Sequence, residues 1–220
     1  ALLNIGSEEI KGNETIKETF QILNEKNSNN YNFAGYIEGN HIMDGDVNVI
    51  VSDGFTGNVA LKTAEGTANF ITSELKKTMT RNTLGKISSL LNIGSEELKG
   101  NETIKETFQI LNEKNSNNYN FAGYIEGNHL MDGDVNVIVS DGFTGNVALK
   151  TAEGTANFIT SELKKTMTGN IMGKISALLN ISNLNKFKKR LDPRLYNGAI
   201  FIGLDSPVVK SHGGTDYVGF

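Results

Sequence analysis

An α/β fold, assembled from a strand–turn–helix unit used twice, is what this 220-residue sequence predicts. Three observations carry the prediction. A β-branched run, VNVIVSD (47–53), leads directly into a glycine-rich turn and a long helical stretch. The same order recurs 88 residues later. After residue 178 come two further short apolar runs of strand character.

The repeat organises everything else. Residues 3–90 and 91–178 align without a gap and differ at six positions only: Ile10/Leu98, Ile42/Leu130, Arg81/Gly169, Thr83/Ile171, Leu84/Met172 and Ser89/Ala177. Solenoid units specialise and end in atypical caps, whereas these are near copies. Two blocks follow: 1–90, the first copy, and 91–220, the second copy joined to a tail (179–220) that occurs once. One copy is expected to dock with the tail, leaving the other redundant and partly exposed.

Within a unit, GNETIKETFQILNEKN (12–27) sets Ile16, Phe20, Ile22 and Leu23 at helical spacing, with Asn13 or Thr15 as cap. NSNNYN (27–32) is a loop, NFAGYIEG (32–39) a short strand, and HIMDGD (41–46) a turn. VNVIVSD then fits a buried parallel strand, and a helix is expected from about Asn58 through Lys77. A second helix is expected at 82–91 and again at 170–180. In the tail, GAIFIGL (198–204) and PVVKSHG (207–213) form a strand pair around Leu-Asp-Ser-Pro.

Composition removes several classes. No cysteine means no disulfide scaffold, no thiolate nucleophile and no Cys-ligated metal. A net charge of −4 argues against a dedicated nucleic-acid binder. No apolar run approaches the ~20 residues of a bilayer-spanning helix. There is no HExxH, no calcium loop and no histidine cluster, so neither metal nor cofactor is expected.

Four segments can carry chemistry. DGFTGN (53–58 and 141–146) joins a strand to a helix N-terminus, whose free N–H groups and dipole suit a phosphate; a tight connection needing glycine explains it equally. NIGSEEIKGN (4–13) and NIGSEELKGN (92–101) offer Lys11 or Lys99 to an anion, or are a helix start capped by Ser7. VVKSHGG (208–214) sets Lys210, Ser211 and His212 beside two glycines, where the histidine is either structural or a proton carrier. His41 and His129 take no role. Finally, 170–190 reads as an amphipathic basic helix. Ile171, Met172, Ile175, Leu178 and Leu179 make one side, and Lys174, Lys186, Lys188, Lys189 and Arg190 supply charge. Such a helix lies on an anionic bilayer, or packs into a core or a dimer partner.

Taken in order, NIGSEE(I/L)KGNE, NFAGYIEGN, DVNVIVSDGFTGNVALKTAEG, LDPRLYNGA and VVKSHGG closely resemble the C-terminal half of bacterial phosphate acyltransferases of the PlsX type. The resemblance covers essentially the whole chain, the first block matching a second time. It implies a three-layer α/β/α Rossmann-like fold, similar to isocitrate and isopropylmalate dehydrogenases and phosphotransacetylases, here incomplete because the family's upstream half is absent. It implies conversion of acyl-[acyl carrier protein] and inorganic phosphate into acyl phosphate. That product feeds a membrane glycerol-3-phosphate acyltransferase in phospholipid synthesis. A cytoplasmic homodimer, peripherally bound to the inner face of the cell membrane, is implied as well.

On this resemblance Lys99, Lys210 and His212 are the catalytic candidates. Asn101, Gly142, Gly145, Asn146, Lys150, Ser211 and Gly213 are the candidates for phosphate and substrate contact. Ile171, Met172, Ile175, Leu178, Leu179, Lys186, Lys188 and Lys189 are the candidates for membrane contact. A phosphate acetyl- or butyryltransferase acting on coenzyme A, and a non-catalytic module binding membrane or carrier protein, are the competing readings.

Overall fold

A computed structural model of the chain describes residues 1–6, 12–25, 31–79, 102–113, 120–191, 198–201 and 206–210. The fold is α/β. Contacts divide the chain into two units, Ala1–Ser73 with Ile87–Thr166, and Glu74–Lys86 with Met167–Phe220.

In the first unit, strand β1 (Leu2–Asn4) pairs in parallel with β2 (Tyr36–Glu38), Leu3 opposite Ile37. On its other edge β1 meets Val51 in a parallel bridge, with Leu3 N–H donating to Val51 O at 2.9 Å. Between β1 and β2 runs helix α1 (Glu14–Glu25), capped by the Asn13 carboxamide, which accepts from Ile16 N–H at 2.9 Å. Asn13 rather than Thr15 is therefore the cap. Gly12 precedes it with φ +102°, and a side chain there would collide with Asn4 Oδ1. Phe20 of α1 stacks on Tyr36 of β2 and meets Phe33 edge-on, which fixes the helix to the strand.

The long helix of the first copy is α2 (Gly54–Met79), and it starts four residues earlier than its apolar pattern suggests. The reason is Asp53, whose carboxylate accepts from Thr56 N–H at 2.9 Å and so opens the helix at Gly54. The second copy supplies α3 (Glu102–Glu113) and α4 (Gly142–Thr168). Phe108 of α3 repeats the aromatic contacts with Phe121 and Tyr124. Leu3, Ile37, Ala60 of α2 and Val147 of α4 form one core cluster, with Ile42, Val47, Ile50 and Phe143 packed around it. Both copies thus contribute to a single core, and neither is redundant in this unit.

The run 47–53 is not the buried strand its composition predicts. It makes one bridge, and Val49 and Val51 are exposed. In the second copy Val137 and Val139 are more exposed still, at 78% and 74%, with no strand there. A strand is buried only when sheet neighbours and helices cover it. Here β1 covers one edge in the first copy, and residues 90–92, which correspond to β1, lie outside the described residues.

The second unit holds α5 (Ile171–Leu179), α6 (Ile181–Arg190), and the antiparallel pair β3 (Ala199–Phe201) and β4 (Val208–Lys210), with Ile200 opposite Val209. The expected tail strand pair is present; residues 202–205, which include Leu204 and Asp205 of its expected turn, lie outside the described residues, as does the first-copy helix expected at 82–91. The single helix expected over 170–190 is two, broken at Asn180. Asn180 N–H closes α5 onto Ser176 O at 3.1 Å, while its own carbonyl accepts from Leu184 N–H at 2.9 Å to open α6. The final turn of α2 also belongs to this unit, where Glu74 pairs with Lys77 at 3.0 Å and with Arg190 of α6.

Candidate functional site

The corner that opens α4 is built by Asp141. Its Oδ1 accepts from Phe143 N–H at 3.0 Å and Thr144 N–H at 2.9 Å, and its carbonyl accepts from Gly145 N–H at 3.0 Å. Partial burial works to raise the Asp141 pKa, but these hydrogen bonds outweigh it and hold the carboxyl below its ordinary value. The side chain is a fixed anion on the helix's positive end. A phosphate approaching this corner therefore meets a carboxylate already seated on two of the donors it would use. The Asp-x-x-Thr spacing, visible in DGFT, is the sequence signal for this cap.

From that corner the candidates step along one helix. Gly142 and Gly145 lie in the first turn, and a Cβ at Gly145 would only touch Ser140 at ordinary distance, so close packing does not demand this glycine. Asn146 and Lys150 are one turn apart, on one face. Asn146 Oδ1 is buried and has no hydrogen-bond partner among the described residues. Lys150 lies 3.6 Å from Glu153 and is largely covered. Gly142, Gly145, Asn146 and Lys150 are thus brought together on α4.

Lys210 closes β4 in the second unit, on an exposed strand. Lys99, Asn101, Ser211, His212 and Gly213 lie outside the described residues. His41 and His129, given no role, each hold an aspartate in the same way: Nδ1 is 2.6 Å from Asp44 and 2.7 Å from Asp132.

The surface candidates of the second unit are all exposed. Asn170 caps α5 by accepting from Gly173 N–H at 2.7 Å, which aims the helix so that Ile171, Met172, Ile175, Leu178 and Leu179 face solvent, Ile171 and Leu179 at 77%. Lys186, Lys188 and Lys189 stand exposed on α6, whose Phe187 is buried as its anchor. An apolar surface beside a cationic one is the pairing that interfacial helices present to anionic lipid. No helix among the described residues is long and apolar enough to cross a membrane.

The sequence model of a family described as "Fatty acid synthesis protein" matches twice, over residues 1–91 and 88–220. The chain belongs to this family. Among curated relatives, the phosphate acyltransferase of Pelagibacter ubique (strain HTCC1062) is 76% identical over 148 residues, covering 67% of this chain and 44% of the relative. That of Maricaulis maris (strain MCS10) is 46% identical, covering 60% of this chain and 37% of its own. That of Legionella pneumophila (strain Corby) is 50% identical, covering 60% and 38%. This member of the fatty acid synthesis protein family spans less than half the length of these relatives. In the family match, each copy of the repeat is recognised on its own.

Proposed function

We propose that this chain carries acyl-[acyl carrier protein]:phosphate acyltransferase chemistry, supplying acyl phosphate for phospholipid synthesis. The observation that carries the reading is the 76% identity to the Pelagibacter ubique phosphate acyltransferase over two thirds of the chain. In this reading the chain is part of a three-layer α/β/α Rossmann-like fold. A phosphate oxygen attacks the thioester carbonyl, the carbon–sulfur bond breaks, and the carrier thiolate leaves and takes up a proton. Neither thiol nor metal is needed on the protein. Lys150 and the Asn146 carboxamide on α4 are the contacts to phosphate and the developing oxyanion in the first unit, with Lys99 and Asn101 as further candidates there; Lys210, Ser211, Gly213 and the proton carrier His212 are the candidates that the tail supplies. The exposed α5 side chains and the α6 lysines hold the protein to the inner face of the membrane, near the acyltransferase that consumes acyl phosphate.

A second reading, a module that binds carrier protein or membrane without catalysis, is favoured by the Asp141 carboxylate on the α4 N–H groups. One assay separates them. The chain, incubated with acyl carrier thioester and phosphate, is expected to release acyl phosphate trapped as hydroxamate. Lys150→Ala should lower turnover by about tenfold or more, the scale of one lost charged contact to a transition state. A folded chain giving no hydroxamate supports the second reading instead. Flotation on anionic vesicles should fall when Lys186, Lys188 and Lys189 become glutamine, and at high salt; insensitivity to both would remove the electrostatic part of the surface assignment.

A further inference from the structure

Four glycines show how the two copies meet. A Cβ at Gly39 would lie 2.8–2.9 Å from Thr151 Oγ1, Thr151 N and Val147 O. At Gly127, the same position in the second copy, it would lie 2.8 Å from Thr63 N and Oγ1. Thr63 and Thr151 also correspond. Gly66, in the interior of α2, approaches the backbone of Asn128 so closely that a Cβ would collide with it. Gly154, its counterpart in α4, meets the backbone of Asn40 in the same way. The glycine contacts are reciprocal: Gly39 on Thr151 is mirrored by Gly127 on Thr63, and Gly66 on Asn128 by Gly154 on Asn40.

Burial repeats the pattern. Thr63 and Thr151 are fully buried, as are Thr67 and Thr155 at the next turn. At this contact the buried oxygens without a hydrogen-bond partner among the described residues also correspond, Asn40 with Asn128, Thr63 with Thr151, and Thr67 with Thr155. A surface on which position i meets j, and j meets i, is the mark of a two-fold, self-complementary interface between identical subunits. Here both halves stand on one polypeptide.

We infer that the repeat places a two-fold subunit interface inside a single chain: the turn at Gly39–His41 and the Thr63–Gly66–Thr67 face of α2 form a docking surface whose partner is the other copy of the same block. The surface is closed in cis, so a second chain is not admitted on it, and a homodimer of this protein has to form elsewhere. This holds whether or not the chain transfers acyl groups. It also explains why a glycine stands in the middle of each long helix, where alanine would favour the helix by about 1 kcal/mol. Only a residue without Cβ lets the opposite backbone in.

The chain has no native cysteine, so an introduced pair reads the arrangement directly. Asp44 of the first copy and Ser161 of the second line one cleft of about 620 Å³. In the full chain, Asp44→Cys with Ser161→Cys and a short bismaleimide should give a linked single chain, in a yield independent of protein concentration. A linked two-chain product, a yield that rises with concentration, or no link at all would overturn the inference. The mirror relation is read separately by melting. Gly66→Ala and Gly154→Ala should each lower the midpoint by about 4 °C, since overpacking costs more than the helix gains. Tolerance of alanine at one position and not at its mate would show that the contact is not reciprocal. Should these variants fail to fold, the cysteine pair in the glycine background still decides.

Discussion

Glu74 and Glu162 occupy the same place in the two copies, three residues before a lysine that each one binds, at 3.0 Å in the first and 2.6 Å in the second. Glu74 is 6% exposed and is also held by Arg190; Glu162 is 49% exposed and, among the described residues, pairs with its lysine alone. The same divergence runs through the blocks. Ile71 is buried to 1%, while Ile159 is half-buried; Val147 is buried to 1%, while Val59 is half-buried. Local sequence is shared, so the difference comes from what each copy is packed against. Among the described residues two features stand beside one copy only, strands β1 and β2 beside the first copy's turn and helix α6 after the second copy, and each breaks the equivalence at the residues it covers. The close glycine contacts, which involve only repeated residues, stay equivalent.

The largest effect that tests this contrast is at the isoleucines. Ile71→Ala should cost about 3 kcal/mol in urea unfolding, whereas Ile159→Ala, already wetted, should cost about 1 kcal/mol. Equal losses would mean that the two helices sit in equivalent surroundings after all. The valines should show the reverse order of copies at a smaller scale. Val147→Ala removes a core methyl pair and should cost about 2 kcal/mol, and Val59→Ala less than about 1 kcal/mol. This inversion is the sharper test, because no general difference in stability between copies can produce it.

Much of the local structure could be read from the sequence. A cap at Asn13 or Thr15, the helix after it, a short strand within 32–39 and the tail pair all follow from spacing and turn residues, and the structure selects Asn13 and narrows the strand to Tyr36–Glu38. The early start of α2 was hidden because apolar periodicity begins after Asp53 has already capped the helix. The exposure of VNVIVSD has a different reason: β-branched composition shows that a segment suits a sheet interior and says nothing of whether neighbours cover it. Asn180 divides 170–190 although the apolar spacing runs through it; its carboxamide turns back to donate to Ser176 O at 3.0 Å, a local side-chain bond that competes with a continuous helix. Of the candidate site, Asn146 and Lys150 fall together because four residues make a helical turn. The Glu74–Arg190 pair, 116 positions apart, leaves no local trace. Nor does the reciprocity of Gly39 and Gly127, although a glycine inside a helical pattern was the available clue.

The smallest effect isolates the carboxylates. Lys77's hydrogen bond, with help from the Arg190 charge and against the cost of burial, holds the Glu74 carboxyl below its ordinary value. A carboxylate with a lowered folded pKa contributes stability that is complete above its unfolded pKa, and that contribution is lost as pH falls through the folded value. Wild-type and Glu74→Gln chains should therefore differ by about 1 kcal/mol near neutrality, because both cationic partners stay hydrated and lose little when the acid is removed. The gap should begin to close as pH drops below about 4.3 and vanish at lower pH. Glu162→Gln, which removes an exposed pair, should change stability by less than about 0.5 kcal/mol at neutral pH. If the Glu74 variant tracked the wild type at every pH, Arg190 would not be holding α6 through this carboxylate.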